Sequence, residues 1–106
     1  MTPLAADELT RVLCASFAGL AGTAAAVEEL TSRSWASATF SGERHRLVLR
    51  LQGDNAAAAA DGFLDGLSER EFELDGHILA DIALVGAERA GIPVRLILEA
   101  LTVEES

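Results

Sequence analysis

With 106 residues, 50% of them hydrophobic, the chain has room for one domain with its own core, and no shift in composition divides it. A net charge of -9 excludes electrostatic attraction to nucleic acid or an anionic membrane surface, because the long-range field repels a polyanion before local contacts form. No apolar run approaches the roughly 20 residues that a bilayer-spanning helix needs, and the absence of lysine and tyrosine removes Schiff-base, P-loop and phenolic chemistry.

Thr2-Pro3 marks a helix start, with a hydroxyl to cap a free amide and a proline whose missing N–H does no harm there. Leu9, Val12, Leu13, Ser16, Phe17 and Leu20 then share one face at the helical period, and the helix should end near Gly19 or Gly22. Cys14 falls at the edge of that stripe and reads as a small hydrophobe; as the single cysteine it forms no internal disulfide, which fits a reducing, cytoplasmic compartment. The apolar stretch up to Ala26 superficially resembles a secretion signal, but Asp7 and Glu8 stand where positive charge belongs. TAAAVEELTSR favours helix by propensity yet has no helical stripe, so it is read as a strand with helix as the alternative.

The stretch WASATFSGERHRLVLRL, residues 35–51, alternates strongly and reads as two strands. A turn at Gly42-Glu43 would pair Phe40 with His45, Ala38 with Leu47 and Ala36 with Leu49, placing Trp35 opposite Arg50 on the other face. Asp54 or Asn55 caps a second helix whose buried stripe is Ala56, Ala60, Phe63, Leu64 and Leu67. Two longer strands follow in GHILADIALVG and IPVRLILEALTVEE, and pairing Leu84 with Val94 gives a workable register. The resulting order, α-β-β-β-α-β-β, predicts an α+β two-layer sandwich, an antiparallel sheet of about five strands with two helices on one face.

The runs WASATFSGERH, GHILADIALV and LEALTVEE resemble those of small conserved hypothetical bacterial proteins of about this length. That resemblance implies a compact single domain and implies no activity.

One sheet face has no third layer to cover it, and there the pattern gathers Trp35, Arg46, Val48 and Arg50. The second hairpin adds Leu79, Asp81, Arg95, Ile97 and Glu99, with His77 beside them. Aliphatic residues beyond what a solvated strand requires, with Trp35 stacked on Arg50, suit a non-enzymatic domain that self-associates as a dimer through this face. The alternative is a small-molecule module in which Arg46 and Arg50 hold an anion against Trp35. An enzyme built on His45 or His77 ranks third, since His45 is expected on the core side. No metal or cofactor is expected: two histidines on opposite faces and one helical cysteine do not make a zinc set, and no phosphate-cradling glycine motif is present.

Overall fold

Alternation in HRLVLRL and VRLILEALT puts every second residue, mostly leucine, on one side of its strand, and these two strands become the centre of the sheet. The computed structural model describes residues 2–105. They form α1 (Ala5–Ala15), β1 (Ala24–Ala36), β2 (Ser41–Gln52), α2 (Ala56–Leu64), a short 3-10 turn (Leu67–Glu69), β3 (Glu73–Leu74), β4 (His77–Glu88) and β5 (Val94–Glu104). The sheet has five strands in the order β1-β2-β5-β4-β3, and every pairing is antiparallel.

At its middle Leu47 faces Leu98, Leu49 faces Leu96 and Leu51 faces Val94. All six are essentially inaccessible to solvent, and fully burying each such side chain stabilises the fold by about 1.5–3 kcal/mol. Leu9, Val12, Leu13 and Phe17 from the α1 side close over them, as do Ala56, Ala60, Phe63 and Leu67 from the α2 side. The Phe17 and Phe63 rings meet at 5.1 Å between the two helical segments. The α+β class, the two helices on one face and the five-stranded antiparallel sheet are therefore as the sequence predicts.

The segmentation differs. Residues 24–36 run as one continuous strand, so the order is α-β-β-α-β-β-β, and the remaining strand is the two-residue β3. Serine chemistry places the first turn: the Ser37 N–H donates to the Phe40 carbonyl at 2.7 Å, and the Phe40 N–H donates to Ser37 Oγ at 3.1 Å. Gly42 is consequently a strand residue opposite Trp35, His45 faces Ser32, and Arg50 faces Ala26. Phe40, expected opposite His45 in the core, lies exposed at the turn.

In the second hairpin Leu84 pairs with Leu98 in place of Val94. Register shifts between Leu79 and Asp81 and between Leu84 and Gly86 insert an extra residue twice into β4. The first shift turns Leu79 onto the helix side, where it packs against the core, correcting its expected place on the open face.

Helix α1 starts at Ala5 without a side-chain cap from Thr2 or Leu4. Glu8 fixes its first turn instead, accepting the Asp75 N–H at 2.7 Å and the Arg11 guanidinium at 2.8 Å. The Arg11 hydrogen bond first, and the Asp75 amide second, hold the Glu8 carboxyl down at about 2. No helix among the described residues is long and apolar enough to cross a membrane.

Candidate functional site: a groove on the open sheet face

On the side away from the helices, β1 presents Thr31 and Arg33, β2 Arg44, Arg46, Val48 and Arg50, β5 Arg95, Ile97, Glu99 and Leu101, and β4 Asp81 and Ala83. The sheet curls enough for Thr31 and Arg33 at one margin and Asp81 and Ala83 at the other to border one groove of about 460 Å³. Its floor is made by the strands themselves.

The face divides into two ends. At one end Glu28, beside the bulge in β1, gathers two arginines: Arg95 Nε lies 3.0 Å from its carboxylate and Arg50 Nε 3.7 Å. Arg95 also reaches Glu88 at 3.7 Å. Arg50 and Arg95 are direct cross-strand neighbours, an arrangement that would repel were Glu28 not between them. Val48 and Ile97 face one another alongside, half-buried, and Ile97 leans over Gly86, whose missing side chain leaves it room.

The groove occupies the other end. Arg46 is bound to Glu99 at 3.2 Å, an exposed pair of small energetic worth. Arg33 and Arg44 are direct cross-strand neighbours, and among the described residues neither has a carboxylate within ion-pair distance. Two like charges opposite one another destabilise a sheet, and no carboxylate among the described residues offsets this placement. Chemically, three guanidiniums at one groove offer planar, permanently charged forks that match carboxylate or phosphate oxygens bidentately.

From the expected set the groove holds Arg46, Asp81 and Glu99, with Val48, Arg50, Arg95 and Ile97 on the same face at its other end; it adds Arg33, Arg44 and Thr31, which sequence reasoning missed. Trp35 does not join them. Its indole lies over Gly42, with Cε2 3.1 Å from where a Cβ would be, and it borders a separate cleft beside Pro3, Leu4 and Glu104. It is therefore not stacked on Arg50, and the cation-π contact among the described residues is Arg70 over Phe63, at 5.4 Å. Its Nε1 is buried without a hydrogen-bond partner among the described residues.

His77, expected on the open face near Glu99, instead makes a 2.8 Å hydrogen bond from Nε2 to the Pro3 carbonyl and pairs with Glu104. His45 is on the core side, as expected. Its Nδ1 is 2.7 Å from Ser32 Oγ and its Nε2 2.9 Å from Thr102 Oγ1, which in turn donates to the Glu43 carbonyl. That chain of donors assigns the neutral Nε2–H tautomer, with Ser32 donating to Nδ1. Burial is the first cause lowering the His45 pKa from 6.5; the charge of Glu43 opposes it and His77 adds to it.

Among the described residues no group of three or more His, Cys, Asp or Glu could hold a metal ion. No family model, no curated protein and no solved structure matches the chain.

Proposed function

We propose that the chain is a non-enzymatic binding module, cytoplasmic as its lone cysteine suits, whose open-face groove takes a small anion between Arg33 and Arg44 with Arg46 at the flank. The observation that carries this reading is the adjacent Arg33–Arg44 pair, left without carboxylate partners among the described residues in a chain of net charge -9. Carboxylates are abundant in this protein, so an arginine pair that recruits none of them points outward to an anion from elsewhere. Citrate and pyrophosphate are suitable probes. Either should give saturable shifts of the Thr31, Arg33, Arg44 and Arg46 amides by NMR. Arg33→Gln or Arg44→Gln should weaken binding about tenfold or more, as loss of a hydrogen bond between charged groups worth about 1.5–3 kcal/mol implies. Arg50→Gln, whose arginine is already engaged by Glu28, should leave affinity unchanged. If neither probe binds at millimolar concentration, or all three variants bind alike, the reading is wrong.

A curved groove suits an inserted ligand better than face-to-face packing of two copies, so the observations favour a different place for the expected dimer. β3 covers only His77 and Ile78 of β4, and along the uncovered part Leu84 and Val85 are exposed at 41% and 45%. An apolar strand edge of that kind is a template for a second chain. Light scattering on the eluting protein should give the mass of a dimer at high concentration, and Val85→Lys should return it to a monomer. A wild-type monomer throughout the concentration range would remove this second reading.

A further inference from the structure

On the helix side, away from the groove, a cavity of about 720 Å³ opens between the end of α1 and the outer part of α2. Its walls are Phe17, Leu20, Ala58, Ala59, Gly62 and Phe63. Leu20 belongs by period to the buried stripe of α1, yet the helix ends at Ala15 and Leu20 is left 47% exposed at the opening. Gly62 is equally out of place. Glycine is the least favoured helical residue after proline, and no close approach requires it, since among the described residues no atom beyond its own neighbours and helix backbone lies within 4 Å of where its Cβ would be. What the glycine keeps is space.

Polar groups mark one part of this apolar wall. Arg70 lies over the Phe63 ring at 5.4 Å and donates from one nitrogen to the carbonyls of Gly62 and Asp65, both at 3.1 Å. It has no carboxylate partner among the described residues, and its remaining N–H groups are uncommitted. Thr23, also lining the cavity, keeps Oγ1 buried without a hydrogen-bond partner among the described residues. An open, mainly apolar cleft, with Ser16, Thr23 and Asn55 also on its walls and one fixed cation at its rim, matches a ligand with an alkyl tail and a single negative head. Asp61 on α2 and Asp65 just past its end disfavour a dianion.

We infer that this cavity is a binding site for a free medium-chain alkyl carboxylate, its tail against Phe17, Leu20 and Phe63 and its head on Arg70. The site is independent of the anion groove. Decanoate, kept below its micelle concentration, is the probe, and 1-decanol is its uncharged counterpart.

Decanoate should give saturable NMR shifts confined to residues 16–23 and 55–70. Gly62→Phe should abolish them while the circular dichroism melt stays at or above that of the parent, because the new ring enters open space. Arg70→Gln should weaken decanoate at least tenfold and leave decanol unchanged, whereas Arg33→Gln should alter neither. Unaltered decanoate binding by Gly62→Phe, equal losses of decanoate and decanol in Arg70→Gln, or the absence of saturable shifts would each overturn the inference. Should Gly62→Phe fail to fold, Gly62→Leu carries the same test with a smaller side chain.

Discussion

Gly42→Ala is expected to lower stability by about 3 kcal/mol, at the upper end of the usual cost of overpacking, whereas Gly62→Ala should raise it by about 1 kcal/mol. The two glycines differ in what a methyl group would meet. At Gly42 it would land on the Thr102 carbonyl oxygen of the neighbouring strand, with Trp35 Cε2 3.1 Å away. The obstruction is backbone, and the segment is held on both sides, to Trp35 in β1 and to Val103 in β5. Relief therefore requires the chain to shift within a paired sheet, and no side-chain rotation can supply it. The Trp35 indole fills the space beside the missing Cβ, which explains why the large aromatic lies half-buried there and does not face an arginine. For a domain whose total stability is about 5–15 kcal/mol, a loss of this size is a visible fraction. Urea denaturation of the three proteins checks it: the midpoints should rank Gly62→Ala, parent, Gly42→Ala. A Gly42→Ala midpoint equal to that of the parent would mean that the two strands do not approach there as described.

Gly42 also explains what the sequence could and could not disclose. A glycine in an alternating stretch serves equally as a turn residue or as a point of close approach, and SGER offers the first use as readily as the second. Two hydrogen bonds between Ser37 and Phe40 decided the matter. The side of the sheet occupied by each residue of β2 and β5 was nonetheless legible, because a strand's own alternation sets it whatever its partner does. Leu47, Leu49 and Leu51 are inside and Arg46, Val48 and Arg50 outside in either register. The cross-strand partners were not legible, and the site depends on them. With the turn at Gly42, Arg33 fell at the end of a separate, earlier strand, so its adjacency to Arg44 could not be foreseen.

Bulges are harder still to read. An inserted residue leaves the pattern on each side intact, so the shifts near Glu28, Ala80 and Val85 have no signal in composition or period. Their consequences reach the surface chemistry: Glu28 lies between Arg50 and Arg95, and Leu79 turns to the core. Of the residues proposed from sequence, Arg46, Val48, Arg50, Asp81, Arg95, Ile97 and Glu99 share the open face, carried on three strands whose alternation fixes their side, and Trp35 and Leu79 do not. Helical stripes were legible for the same local reason, except at Leu20, where the chain leaves the helix before the stripe is complete.

His45→Ala should cost about 3 kcal/mol and remove most of the pH dependence of stability near neutrality. The imidazole is 2% exposed, so truncation leaves a cavity between β1 and β5 and strips Ser32 and Thr102 of a shared partner. Burial lowers its pKa from 6.5, so in acid the unfolded chain takes up a proton at a pH where the folded chain still refuses it. The contribution is complete above pH 6.5 and is lost as the pH falls from there through the lowered folded value. Glu8 has the same sign in a lower window: its folded pKa of about 2 lies below the ordinary value of 4.5, so its stabilisation is present above 4.5 and disappears as the pH falls toward 2. The urea midpoint of the parent should therefore fall in two stages on acidification. His45→Leu, which keeps apolar volume, should flatten the upper stage and retain the lower, while Glu8→Gln should do the reverse. An upper stage unchanged in His45→Leu would show that the histidine is protonated as readily in the fold as in the open chain, and the Ser32–His45–Thr102 chain would then not be the neutral network that its hydrogen bonds describe.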